Sequence, residues 1–283
     1  MRIATLTNGS KSAVALEFDG QWYDTGEIGP GALMRVLLGG ERSVASYVGL
    51  GQVLADNFKP TIPFIPPRNV MCLGKNYLAH AEEFARFNDD VDVVPKAPIV
   101  FTKATAALCG PTDDISVESS LSPELDYETE LAVVIGRAGR SIGADKALEH
   151  IAGYSVINDL TARNLQTLHA QWFLGKSLPA ASPFGPVIVT PEEIAPRGEK
   201  VLSTWINGEL RQRAPLSEMI VGVEEAIAII SKIVPLEVGD VISMGTPSGV
   251  AVSFSPPKYL KHGDEIVSEI EGIGRLQNRV VIY

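Results

Sequence analysis

The chain is made of short apolar runs, each closed within a few residues by glycine or proline, and this limits how it can fold. Residues 70–73, 99–102, 128–135, 153–158, 187–190, 202–206, 241–244, 265–270 and 279–283 read as strands. Helical periodicity appears only at 77–87, 145–150, 162–172 and 223–232. Strands therefore dominate and do not alternate regularly with helices. A closed or rolled sheet with peripheral helices suits this pattern better than a βαβ series, which places the chain in the β-rich α+β class.

The first part of the chain has its own grammar. Runs at 13–18 and 22–23, broken by glycine, read as hairpin strands, and 31–38 reads as a short helix. Pro60, Pro63, Pro66 and Pro67 follow. Proline fixes φ and lacks an amide donor, so this stretch is a stiff connector. The division expected is a small N-terminal α/β domain with its connector at 1–65 and a larger domain at 66–283.

Composition excludes several functions. The 283 residues suffice for a sizeable core, and the net charge of -10 with no basic stripe excludes a nucleic-acid partner. No apolar run approaches the ~18 residues of a membrane span, and Met1–Leu6 lacks the long apolar segment of a signal peptide. Asn8-Gly9-Ser10 then reads as a turn rather than a glycosylation site. Cys72 and Cys109 form no CxxC pair, so neither a disulfide scaffold nor a thiolate zinc site is expected, and the expected setting is the cytoplasm.

The strongest chemical signal is Leu125-Asp126-Tyr127-Glu128-Thr129-Glu130-Leu131-Ala132-Val133-Val134-Ile135-Gly136. Alternation along a strand puts Glu128 and Glu130 on one face and Leu131, Val133 and Ile135 on the other. Paired carboxylates repel unless a cation lies between them; two exposed glutamates are the plainer alternative. Asp159 follows an apolar run where a strand turns into a helix, and could serve as a third ligand or as a helix N-cap. Three carboxylates with positions left for water and substrate suit Mg²⁺ or Mn²⁺ and suit Zn²⁺ poorly. No G-x-S-x-G, G-x-G-x-x-G or H-E-x-x-H occurs, and Gly175-Lys176-Ser177 lacks the upstream glycine of a P-loop, since Ala170 stands there.

Several further stretches stand in order with these acids. They are Gly74-Lys75-Asn76-Tyr77-Leu78-Ala79-His80-Ala81-Glu82-Glu83, Asn158-Asp159-Leu160-Thr161-Ala162-Arg163, Gly175-Lys176-Ser177, Gly245-Thr246-Pro247-Ser248-Gly249, and 261–280. Together they resemble the fumarylacetoacetate hydrolase family over residues 66–283, with the N-terminal region similar to its small appended domain. The resemblance implies a barrel-like sheet core and a homodimer. It makes Glu128, Glu130 and Asp159 ligands of Mg²⁺ or Mn²⁺, with Ca²⁺ able to stand in. His80 and Glu83 match its general-base dyad, three apart on one helix face. The acidic segment 81–98 corresponds to a lid that carries the dyad. Lys176 would stabilise enolate charge, and Arg163, Gln166, Thr246 and Lys103 would face the substrate. His150, His169 and His262 read as structural. Lys75, where arginine is common, Ala251 and the stretch 179–183 depart from the family and leave substrate identity open.

The implied activity is hydrolysis of a C–C bond in a 2,4-dioxo acid of the acylpyruvate or fumarylpyruvate type, as in aromatic catabolism. Oxaloacetate-type decarboxylation and isomerisation of a 2-hydroxy-dienoate would use the same enolate. A non-catalytic metal-binding protein of this fold is the alternative of another class, disfavoured because structural metal binding needs none of Lys176, Arg163, His80 or Glu83.

Overall fold

The computed structural model describes residues 1–39, 46, 47, 49, 51–88 and 94–283. Its large sheet has eleven strands. Nine run in the spatial order Gln21–Asp24, Ser12–Phe18, Arg2–Thr7, Ser182–Val189, Ile151–Asn158, Thr129–Ile135, Val241–Ser243, Val70–Gly74 and Ile99–Lys103. Lys59–Pro60 and Leu108–Cys109 pair off this path. A second sheet of five orders Glu209–Pro215, Val201–Ile206, Glu265–Ile270, Gly274–Ile282 and Ile115–Val117.

The β-rich α+β class expected from the pattern is the class observed, but the sheets are open and do not close into a barrel. Arg2 and Ile3 pair with Val189 and Ile188, so the N-terminal hairpin extends the large sheet beyond Ser182–Val189.

The strand Thr129–Ile135 is buried throughout, as expected for a strand covered on both faces. Leu131, Val133 and Ile135 join a cluster with Tyr154, Ile242, Ile227 and Ile230. Ala132 and Val134 join another with Ile3, Leu33, Val36 and Phe184. The helix Val223–Ile233 thus covers one face and Ala32–Leu37 the other. Each such buried Leu, Val or Ile contributes roughly 1.5–3 kcal/mol.

Two periodic segments are shorter or tighter than their pattern suggests. The helix expected over 162–172 spans only Arg163–Leu168. Ala170 takes a left-handed φ of 56°, and Trp172 turns in to meet Phe101 edge-on at 5.1 Å, so tertiary contact overrides the local period. The stretch Ala144–His150 winds as a 3₁₀ helix. Its His150 Nδ1 lies 2.8 Å from Arg137 O, and His262 Nδ1 lies 3.1 Å from Ile282 O. Cys72 and Cys109 are buried free thiols. Of the segment 81–98, residues 89–93 lie outside the described residues; the helix Leu78–Asn88 precedes them. Among the described residues no helix is long and apolar enough to cross a membrane.

Register places the functional segments at one end of the large sheet. Thr129 pairs with Asn158, Ala132 with Ser243, and Ser243 with Cys72 in parallel. The start of one strand and the ends of three others therefore coincide. They deliver Glu128 and Glu130, Asp159, the loop Gly245–Gly249, and Gly74 through His80.

Candidate active site

The site begins with three carboxylates. Glu128, Glu130 and Asp159 are 4%, 1% and 0% exposed, which removes the alternative of glutamates on a solvated face. One oxygen from each lies within 4.8 Å of the others. The N-cap alternative for Asp159 also falls, because the helix Arg163–Leu168 is capped by Ala162 without a side-chain bond. Asp159 instead joins the cluster through its backbone, whose N–H donates to Glu128 O at 2.7 Å.

Cations surround this cluster. Lys176 Nζ donates to Glu128 Oε2 and, at 2.6 Å, to Asp159 Oδ2. Lys103 Nζ lies 2.9 Å from Asp159 Oδ1 and donates to Leu160 O at 3.0 Å and Ser182 Oγ at 2.5 Å. Arg163 donates to Asp126 Oδ2 at 2.8 Å, Glu128 Oε1 at 2.5 Å and Gln166 Oε1 at 3.0 Å. Expected to face the substrate, Arg163 lines the cavity but directs these three bonds into the protein, orienting Glu128. Lys103 similarly braces Asp159 from a position that does not line the cavity.

Burial would push the Glu128 carboxyl upward, but the charges of Lys176 and Arg163 overcome it and bring its pKa down to about 2. Glu130 goes the other way. Burial, then the charge of Asp159, hold it well above the ordinary carboxylate range despite Lys176. Its Oε2 accepts from Ser243 Oγ at 2.5 Å and Gly245 N–H at 2.8 Å. Burial alone would lower Lys176, yet Asp159 and Glu128 hold its pKa above the ordinary lysine value. The donor set is all oxygen, and burial leaves Glu130 short of positive charge. This arrangement fits a hard divalent cation and gives no thiolate or imidazole to a softer one.

His80 is 5% exposed, with Nδ1 3.9 Å from Glu83 Oε2. Glu83 in turn accepts the Gly249 N–H at 3.0 and 3.2 Å. Thr246 is buried and lines the same cavity as His80, Gln166 and Lys176. That cavity measures about 320 Å³ with its open mouth. Phe101 and Trp172 wall it, and a side chain on Gly74 would stand 2.4 Å from the Trp172 ring, so glycine is what lets that wall close. Nine of the ten residues singled out in the sequence thus line this cavity or meet at the triad: Glu128, Glu130, Asp159, His80, Lys176, Arg163, Gln166, Thr246 and Lys103. Glu83 stands behind His80.

Phe101, Trp172 and Asp126 escaped the sequence reading. Asp126 is wholly buried, receives Arg163, and accepts the Ala251 and Val252 N–H groups at 2.6 and 3.2 Å. The alternation that pairs Glu128 with Glu130 extends back to Asp126, and that was the available signal.

A model of the fumarylacetoacetate (FAA) hydrolase C-terminal domain matches residues 69–281. The chain belongs to the fumarylacetoacetate hydrolase family. Oxaloacetate tautomerase YisK of Bacillus subtilis is 44% identical over 215 residues, covering 76% of this chain and 70% of that one. Among solved structures, fumarylacetoacetate hydrolase from Exiguobacterium antarcticum is 39% identical with a TM-score of 0.89, each chain covered in full. The 5-carboxymethyl-2-hydroxymuconate delta-isomerase of Mycobacterium smegmatis is 30% identical with a TM-score of 0.79, over 100% of this chain and 99% of that one. This fumarylacetoacetate hydrolase fold therefore sits among relatives named as tautomerase, hydrolase and isomerase.

Proposed function

We propose that this fumarylacetoacetate hydrolase family member is a metal-dependent enzyme that passes a small 2-oxo acid through its enolate. The observation that carries this reading is Lys176, held between Glu128 and Asp159 in a buried carboxylate triad at the floor of a cavity that also contains His80. Mg²⁺ or Mn²⁺ held by Glu128, Glu130 and Asp159 would supply a Lewis acid for the 2-oxo group.

The chain's own residues do the rest. An ammonium has three donors, and Lys176 directs two at Glu128 and Asp159. The third is left for the substrate oxygen on which enolate charge develops. His80, whose Nδ1 lies on the Glu83 side, would move the proton. Gln166 uses its carbonyl on Arg163, leaving its NH₂ for a substrate carboxylate. Phe101 and Trp172 exclude water and keep the substrate small.

Keto–enol interconversion of a 2-oxo diacid such as oxaloacetate requires only that proton transfer, and the 44% identity to an oxaloacetate tautomerase supports it. Hydrolysis of a 2,4-dioxo acid is the second reading. The Glu83 carboxylate behind His80 supports it, because such a dyad can deprotonate water for attack on the distal carbonyl. Decarboxylation would share the enolate. A cytoplasmic homodimer, with an appended domain at 1–65 and a catalytic domain at 66–283, completes the proposal.

The test is a panel of oxaloacetate, acylpyruvates and fumarylpyruvate, with Mg²⁺, Mn²⁺ or EDTA and products identified by mass. Loss of the oxaloacetate enol absorbance without mass change supports tautomerisation; gain of water with cleavage supports hydrolysis. Undiminished turnover in EDTA, or no turnover of any of them, overturns the proposal. A His80→Ala variant that loses hydrolysis but keeps decarboxylation would separate those chemistries.

A further inference from the structure

The loop Gly245-Thr246-Pro247-Ser248-Gly249 holds two acids at once. Its first amide donates to Glu130 Oε2 at 2.8 Å, and its last donates to both oxygens of Glu83. One end therefore grips the triad and the other grips the carboxylate behind His80. A fixed separation between them requires a rigid middle.

That rigidity comes from Gln212, on a strand of the other sheet. Gln212 Nε2 donates to Thr246 Oγ1 at 2.8 Å and to Pro247 O at 2.9 Å. Its Oε1 accepts from Thr204 Oγ1 at 2.8 Å and from the Thr129 N–H at 3.4 Å. An amide has two donors and two acceptor positions, and all four are occupied here in a side chain 1% exposed. Thr129 is the residue between Glu128 and Glu130, and its carbonyl accepts from Thr246 Oγ1 at 2.9 Å. The loop also sits hard on the same strand: a side chain on Gly249, at φ +99°, would stand 1.9 Å from Arg211 O. Gln212 itself does not line the catalytic cavity.

We propose that Gln212 is a positioning residue that clamps the middle of this loop, so that Glu130 and Glu83 keep the separation proton transfer needs. The catalytic part of this inference rests on the reading above that His80 and Glu83 move the proton; the mechanical part does not. Misplacement of about 1 Å at reacting groups costs on the order of 100-fold in rate. The metal-holding acids have other supports, since Ser243 also holds Glu130 and Asn158 Oδ1 holds the Glu128 N–H at 2.9 Å. Loosening the clamp therefore strikes the proton-moving dyad harder than the triad.

The experiment compares Gln212→Met, which loses all four bonds at similar volume, with Gln212→Glu, which keeps the acceptor oxygen but loses the donors. Hydrogen exchange of the full chain is measured in saturating Mn²⁺, beside kcat, KM and the Mn²⁺-induced rise in Tm. In both variants exchange rises at least tenfold in residues 245–249 and in the helix Leu78–Asn88 together. In both, kcat falls at least tenfold while the metal-induced rise stays near wild type. Loosening confined to 245–249 with the helix unchanged overturns the proposal, as does an unchanged kcat in a loosened loop. Should Gln212→Met fail to fold, Gln212→Glu decides alone. Should the wild type turn over no 2-oxo acid, the functional reading fails and the exchange pattern still decides the clamp.

Discussion

Replacing Glu130 with glutamine changes charge while keeping shape, and it moves two measurable quantities differently. Two like unit charges within 4.8 Å of each other repel by at least roughly 3.5 kcal/mol at an effective dielectric of 20. Burial and this repulsion raise the Glu130 carboxyl well above the ordinary carboxylate range and so favour its protonated form. Glutamine imitates the protonated form and can still accept from Ser243 and Gly245. The stability of the metal-free variant should therefore lie within about 1 kcal/mol of wild type, some 2–4 °C in Tm. A divalent cation, by contrast, loses one of three charged ligands. At least a 100-fold loss of affinity follows, about 2.7 kcal/mol. At a metal concentration of 100 Kd the wild type gains about 2.7 kcal/mol and the variant at most ~0.4 kcal/mol. Thermal unfolding in EDTA and through a MnCl₂ titration reads both quantities. A variant that keeps the wild-type rise with metal refutes the ligand assignment. One whose Tm in EDTA falls by more than about 8 °C refutes the electrostatic argument.

Arg163→Met leaves Asp126 and Glu128 buried without their guanidinium. Chemical unfolding should show a loss of roughly 3–5 kcal/mol, and a loss below 1 kcal/mol would show the network to be replaceable. Gly249→Ala should fold poorly or lose at least ~2 kcal/mol, because its new methyl meets Arg211 O at 1.9 Å and its φ of +99° disfavours a side chain. The Cys109 thiol is pushed from 9.0 up to about 12, first by burial and then by Asp113. A group raised in the fold contributes stability below its unfolded pKa and loses it on the alkaline side. Stability should thus decline from pH 9 towards 12, with a ceiling of ~4 kcal/mol for this group. Cys109→Ala should flatten that decline in unfolding curves at pH 8, 9 and 10.5, and an identical slope would overturn the assignment.

Much of the fold was legible because its signals are local. Alternation along 128–135 marks a strand whatever lies beside it, and the helix Val223–Ile233 follows from its apolar period. The helix over 162–172 was overread because Trp172 answers to Phe101, far away in sequence. The candidate site was legible as a set of residue types but not as a division of labour. Arg163 and Lys103 read as cations for a substrate, and only their partners show them turned towards Asp126, Glu128 and Asp159. In sequence Asp126 is one more acid beside a strand; its role comes from Arg163 and the Ala251 amide, which meet it only in the fold.

By itself the amino-acid order determined which segments extend and which carboxylates share a face. These properties depend on neighbours one to four residues apart. The tertiary structure decided that Glu128 titrates low and Glu130 high, that the sheets stay open, and that a glutamine on the second sheet grips the loop between two acids. Those outcomes depend on burial and on charges brought together from about thirty residues away or more, which no local pattern encodes.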